Sequence, residues 1–311
     1  MGETTARRRL QAVDVYRGLA LVAMAAYHLC WDLNYYGLIN VGIGVDPVWI
    51  TAQRAILTAF LLLAGAGLTL AHGEGIAWRG FWRREAMLVA AAAAVSAGTW
   101  FLFGDDLAYF GVLHMIALGS LLCLPLVGAP LWAGAAVAAL ALGLPAVFSS
   151  DAFDPRWLNW IGLFRVTPET ADLVPVFPWL GVMLLGMLGM RVLRGTPAFG
   201  WSSGSRAVRG LALLGRWSLV VYLVHQPILF GIVTPIANWR QSAEQAKLES
   251  FTQSCTASCL AGKGKAEGAG GPQFCTAYCR CALDMTVEHD LWSASPTELK
   301  DMSALCTAMS E

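Results

Sequence analysis

An imidazole and a carboxylate four residues apart on an apolar helix can form a general base and the group that orients it, and His28 and Asp32 stand in that relation. Side chains at i and i+4 share one helix face. A carboxylate there fixes the tautomer of the imidazole and raises its basicity. The stretch around them, LQAVDVYRGLALVAMAAYHLCWDLNYY, is long enough to cross a bilayer. It carries a second polar level at Asp14 and Arg17, with Arg17 about 16 Å before His28 at helical rise. A charge near the bilayer centre costs roughly 2.5 to 3.5 kcal/mol, so ionisable groups at such depth are read as functional.

Further groups of the same kind recur along the chain. His114 sits in FGVLHMIALGS, His225 and Gln226 in YLVHQPIL, and Arg54 in the second apolar stretch. Arg83, Arg84 and Arg216 accompany Asp14 and Arg17 at the opposite ends of the apolar segments. Each has a plainer role. His114 and His225 can donate to a backbone carbonyl, Arg54 can pair with Asp32, and Asp14 and Arg17 can pair with each other. Cys30 and Cys123 lie singly in apolar spans and read as packing residues.

The elements that must hold these groups follow from composition. The chain is 57% hydrophobic and 14% charged, against about 25% charged in soluble domains. That pattern predicts an all-α, polytopic transmembrane helix bundle of about seven spans, with a small cysteine-rich helical C-terminal domain. The spans are expected near 13–36, 48–71, 85–103, 107–127, 131–148, 177–193 and 211–233. Gly65, Gly67, Gly181, Gly186 and Gly189 are expected to permit close helix packing. No phosphate-binding loop or dinucleotide fingerprint is present, and nothing suggests nucleic acid as a partner.

Charge distribution sets an expected orientation. Arg79, Arg83, Arg84, Arg191, Arg194, Arg206 and Arg209, with Arg7 to Arg9, fall on one side of the spans. Asp46, Asp105, Asp106, Asp151, Asp154, Glu169 and Asp172 fall on the other, with Arg156 and Arg165. The positive-inside rule then places the N-terminus in the cytoplasm and the C-terminus outside. Seven spans on this ruler put His28, Arg54, His114 and His225 at one depth, which predicts a polar chamber in the outer half of the membrane. The outer loop 149–176, with Trp157, Trp160 and Phe164, is expected to lie on the headgroups or to serve as a plain connector.

The runs RLQAVDVYRGLALVAMAAYH, FLLLAGAGLTL, FGVLHMIALGSLLCLPL, FPWLGVMLLGM and GRWSLVVYLVHQPIL resemble, in that order, the bacterial heparan-α-glucosaminide N-acetyltransferase-like family. The resemblance covers about 10–233, and it extends more loosely to membrane acyltransferases that O-acetylate surface polysaccharides. It implies transfer of an acetyl group from cytoplasmic acetyl-CoA to an amine or hydroxyl of an outer-face glycan, in a bacterial inner membrane. A motif like Arg17-Gly18 followed by a histidine carries the catalytic role to His28. The lysosomal member's histidine, placed in its first luminal loop, has no counterpart, because no histidine stands between His28 and His72. Under this resemblance Asp14, Arg17, Arg83, Arg84 and Arg216 are candidates for the CoA end, the arginines for its phosphates. Arg54, His114, His225 and Gln226 are then candidates for the acceptor.

The remaining stretch, 241–311, differs in composition from 1–240, which contains no lysine. It holds six of the eight cysteines. Cys255 and Cys259, like Cys275 and Cys279, are spaced to share a helical face. Two antiparallel helices stapled by Cys255–Cys279 and Cys259–Cys275, with Cys281–Cys306 closing a last helix capped at Ser295 and Glu298, fit this spacing. Fifteen connectivities are open, and zinc held by Cys275, Cys279, Cys281 and His289 is the rival. No metal is expected in the membrane body. The alternatives to an acyltransferase are a proton-coupled transporter and a noncatalytic membrane subunit that recruits a partner through this tail; a homo-oligomer is open under each.

Overall fold

The computed structural model describes residues 10–263 and 271–310, and among them every regular element is helical. Arg7 to Arg9 and the glycine-rich centre of the tail lie outside the described residues. In chain order the α-helices are α1 Gln11–Tyr35, α2 Pro47–His72, α3 Trp78–Phe103, α4 Val112–Cys123, α5 Leu131–Val147, α6 Val176–Leu193, α7 Pro197–Gly200, α8 Arg206–Arg216, α9 Ser218–Lys263, α10 Pro272–Glu288 and α11 Pro296–Ser310. Four helical stretches are long and apolar enough to cross a membrane: Pro47–His72, Trp78–Asp106, Val176–Leu193 and Ser218–Ala261. Val112–Leu126 and Leu131–Val147 are shorter apolar helices. α1 has the length, 25 residues, but its four ionisable side chains dilute its apolar character.

The chain divides into two compact units, Met1–Gly231 and Ile232–Glu311. The division falls inside α9, which continues through Arg240 without a break. In the first unit the core is built from α2, α4 and α6, whose Leu61, Leu68, Met115, Met183, Leu184 and Met187 are fully buried. Leu140, Val224, Ile228 and Phe101 point outward, as lipid-facing side chains do.

Small residues set how closely the helices approach. A Cβ on Gly65 would collide with the Met183 carbonyl, and one on Gly186 with the Leu62 carbonyl, so α2 and α6 touch backbone to backbone. Thr69 Oγ1 donates to the Met187 carbonyl across the same seam at 2.7 Å. Gly181 packs likewise on α5, whereas Gly189 faces open space.

Three expected boundaries shift, each for a local reason. The third helix starts at Trp78 rather than 85, so Arg79, Arg83, Arg84 and Glu85 all lie within its first turns. The fourth starts at Val112 rather than 107, because residues 107–111 are extended and partner the loop before α6. The stretch 211–233 is not one span. Val208, Leu211, Ala212 and Gly215 form the inward stripe of an amphipathic α8 that ends at Trp217, with Arg206, Arg209 and Arg216 outside it. α8 crosses α1, where Gly18 meets the Leu211 carbonyl and Gly215 meets the Asp14 carbonyl.

The loop between α5 and α6 is folded onto the first unit. Ala171 N–H donates to the Asp106 carbonyl at 2.6 Å and Val174 N–H to the Phe110 carbonyl at 2.9 Å, forming a short parallel bridge. Buried Asn159 accepts from the Tyr109 hydroxyl at 2.7 Å. Trp160 packs on Phe110, while Trp157 stands exposed.

In the second unit disulfides join Cys255 to Cys279, Cys259 to Cys275 and Cys281 to Cys306. Cys275, Cys279 and Cys281 are thereby consumed and present no thiolates for zinc. Ser295 and Glu298 form the capping box of α11: Glu298 N–H donates to Ser295 Oγ, and Glu298 Oε2 accepts from Ser295 N–H at 2.7 Å. Lys247 lies over the Trp292 ring at 3.5 Å.

The α2–α6 seam leaves no room for a side chain at position 186. Gly186→Val should lower stability by about 1–3 kcal/mol through overpacking, read as an earlier thermal transition in nanodiscs. An unchanged transition would show that the two backbones can part freely.

Candidate functional site

α1 and α9 each contribute part of a buried polar chain. His28 Nδ1 lies 2.7 Å from Gln226 Oε1, and Gln226 Nε2 donates to Asp32 Oδ1 at 2.7 Å. His225 Nε2 stands 3.2 Å from His28 Nδ1, and His225 Nδ1 is 2.6 Å from the Tyr222 carbonyl. The rings of His28 and His225 are 4.9 Å apart. Asp32 is completely buried, and among the described residues its Oδ2 has no hydrogen-bond partner.

One protonation pattern satisfies every contact. A carbonyl can only accept, so His225 carries its proton on Nδ1 and offers the Nε2 lone pair. The Gln226 amide gives its NH2 to the carboxylate, leaving Oε1 to accept. His28 must then be protonated on Nδ1, shared between Gln226 Oε1 and His225 Nε2, and its Nε2 keeps the lone pair. The chain therefore places a proton on His28 Nδ1, and in the neutral imidazole Nε2 is then the basic atom.

This geometry corrects the expected direct pairing of His28 with Asp32. Equal spacing on one helix face brings the two side chains near each other, but Gln226 from α9 inserts its amide between them. Gln226, a candidate for the acceptor, stands between the carboxylate and the imidazole.

His114 is not part of this chain. Because α4 begins at Val112, His114 lies in its first turn, where Nδ1 accepts from Gly111 N–H at 3.2 Å and Nε2 lies 3.3 Å from Ser96 Oγ. Phe110 stacks on its ring. It closes a helix end. Arg54 is exposed on α2 and makes no contact with Asp32 or either histidine of the chain among the described residues. Of the four residues expected at one depth, His28, Arg54, His114 and His225, the structure brings His28 and His225 into contact.

At the other polar level, Asp14 is buried between two arginines: Arg216 Nε is 3.4 Å from Oδ2 and Arg17 Nη1 is 3.9 Å from Oδ1. Arg17 also reaches the Leu63 carbonyl at 3.4 Å. Arg84 donates to Ser120 Oγ at 3.3 Å. Arg17 and Arg84 line one cavity of about 250 Å³ enclosed by α1 to α4 and α9, and Tyr222 lines it too. Arg83 is exposed outside this lining, and Arg216 remains half outside on α8.

Tyr222 was not among the expected site residues. Its ring lies 5.7 Å from that of His225, so one residue borders both the arginine-lined cavity and the histidines. Its position three before His225 on one helix was the available signal. Asp172 was read only as an outer-face charge. Its Oδ2 accepts from Val112 N–H at the start of α4, at 3.3 Å. Burial pushes its carboxyl up to about 6, against the lowering effect of that hydrogen bond.

The family described as heparan-alpha-glucosaminide N-acetyltransferase, catalytic, matches residues 9–227. Comparison with curated proteins gave no match, and comparison with solved structures gave none. The matched stretch contains every member of the polar chain and the whole lining of the arginine cavity.

The hydrogen-bond pattern makes a spectroscopic prediction. In protein labelled with 15N-histidine, His28 should show the Nδ1–H tautomer. Gln226→Leu should mix the two tautomers and cost about 1–3 kcal/mol by stranding the Asp32 carboxylate. A pure Nδ1–H signal in that variant would mean that His225 alone holds the ring.

Proposed function

The chain belongs to the heparan-alpha-glucosaminide N-acetyltransferase catalytic family, and from that premise we propose that it passes an acetyl group from cytoplasmic acetyl-CoA to an acceptor on an outer-face glycan. Family membership implies an acetyltransferase, and the apolar helices imply a membrane protein. Donor, acceptor and orientation are our reading. The observation that carries it is the continuity of Arg17, Arg84, Tyr222, His225 and His28 along one cavity and one hydrogen-bonded chain.

The arginines occupy the end where CoA phosphates would arrive, and Arg17 and Arg84 suit planar contacts to phosphate oxygens. Arginine-rich segments on that side, with the acidic segments opposite, favour a cytoplasmic N-terminus and an outer-face tail. Disulfides in the tail accord with an oxidising compartment.

At the reacting centre, His28 Nε2 takes a proton from the acceptor amine or hydroxyl as it attacks the thioester carbonyl. A C–N or C–O bond forms, the C–S bond breaks, and the thiolate leaves to collect the proton as CoA thiol. Gln226 and Asp32 act through His28 as positioning residues. They hold its tautomer, and the carboxylate stabilises the imidazolium through the amide.

Purified protein in nanodiscs, given radiolabelled acetyl-CoA and an amino-sugar acceptor, should transfer label. His28→Ala should reduce that transfer about 10²- to 10⁴-fold, the usual contribution of a general base, with the thermal transition retained. Label transfer at the wild-type rate in His28→Ala would remove His28 from the chemistry.

A further inference from the structure

The first turns of α3 send their arginines in two directions. Arg84 turns inward, donating to Ser120 Oγ and lining the cavity. Arg79 and Arg83 are exposed, and four residues of helix place them about 6 Å apart along one side. Trp78 and Trp82 run beside them at the same spacing, 55% and 54% exposed. Phe81, Glu85 and Leu88 take the buried face, so the two tryptophans and two arginines form a patch on the outside of the first unit.

No protein group neutralises this patch. Among the described residues neither Arg79 nor Arg83 has an ion pair or a side-chain hydrogen bond. Other arginines are engaged: Arg17 and Arg216 hold Asp14, Arg165 holds Asp151, and Arg191 donates to the Ala129 carbonyl. Of the carboxylates nearest in sequence, Glu74 pairs with neither arginine. Glu85 is buried on the opposite side of the helix from Arg83, and its oxygens have no hydrogen-bond partner among the described residues. Two guanidiniums therefore stand uncompensated side by side, and the ligand that answers them is an anion.

The surroundings say which kind. Trp78–Asp106 is long and apolar enough to cross a membrane, and the patch sits at its beginning, where apolar side chains give way to charge. Indole rings favour that level of a bilayer, between acyl chains and headgroups. Seven residues beyond each arginine, on the same side of the helix, stand exposed Ala86 and Ala90. A chain lying there meets no bulky side chain on that track. Phosphate, glycerol and acyl chain thus find their counterparts in order along α3.

We propose that Trp78, Arg79, Trp82 and Arg83 form a docking site for an anionic phospholipid of the leaflet that meets the arginine-rich ends of the helices. The two guanidiniums take the phosphate oxygens in planar contacts. The indoles lie against the glycerol region, and an acyl chain follows Ala86 and Ala90 toward the bilayer centre. Arg83, a candidate for the phosphates of CoA, is thereby assigned to a lipid. The site stands apart from the transfer reading and does not depend on it.

The test counts bound lipid. Full-length protein purified in detergent is titrated with phosphatidylglycerol and with phosphatidylcholine and weighed by native mass spectrometry. The wild type should take up phosphatidylglycerol about tenfold more readily, with the advantage shrinking as salt is raised before transfer to the spectrometer. Arg79→Gln with Arg83→Gln should erase the preference at an unchanged thermal transition. Arg206→Gln with Arg209→Gln removes the same charge from exposed positions of α8 and should leave the preference intact. Trp78→Leu with Trp82→Leu should weaken uptake of both lipids. Inorganic phosphate or CoA, added in excess, should leave phosphatidylglycerol bound. Equal uptake of the two lipids by the wild type overturns the site. An equal loss in both arginine variants also overturns it, by tracing the preference to net charge, and displacement by phosphate or CoA does so by giving these arginines to a soluble anion.

Discussion

A carboxylate buried among apolar helices must find donors or remain neutral, and Asp32 meets that constraint by drawing in the amide of Gln226. The rest of the site follows from this one bond. Once the amide nitrogen is committed to Asp32, its oxygen faces His28 and accepts from Nδ1. His225, with its other nitrogen held by the Tyr222 carbonyl, completes the surroundings of that same proton. A side chain that cannot titrate thus links one that can to the imidazole, and these bonds tie α1 to α9.

Such a chain holds its geometry only if the helices carrying it cannot drift. The backbone contacts at Gly65 and Gly186 lock α2 to α6, while Gly18 and Gly215 let α8 cross α1 beside the Asp14 ion pairs. Without a hydrophobic driving force between helices in lipid, contacts of this closeness supply the packing that association requires. The arginine-lined cavity opens beside these seams, bounded by Arg17 and Leu63 on neighbouring helices.

Much of the fold was legible in the sequence, because hydropathy and arginine placement respond to a solvent slab that acts on every residue. The polar residues of α1 were legible for the same reason: His28 and Asp32 stand out against Leu, Ala and Val. What could not be read was which partner they would choose. Spacing on one helix indicated a direct pair, whereas the amide that separates them comes from a helix nearly two hundred positions later. His114 misled because its depth was measured from a boundary set by apolar content, while extended backbone at 107–111 delays the start of its helix. Arg54 misled because depth alone does not fix which way a side chain points. Asp172 and Glu169 fell in a loop where sequence reveals charge but not the bridge that folds it inward.

That bridge has a mechanical consequence. Residues 169 and 172 ride on one short length of extended chain, pinned at Ala171 and Val174 to the carbonyls of Asp106 and Phe110. Glu169 lines a hollow that it shares with Asp106 and Trp31, and Asp172 seats the first turn of α4. A displacement of this strand that widened the hollow would at once pull on the amino end of α4, so that hollow and a core helix are geared together.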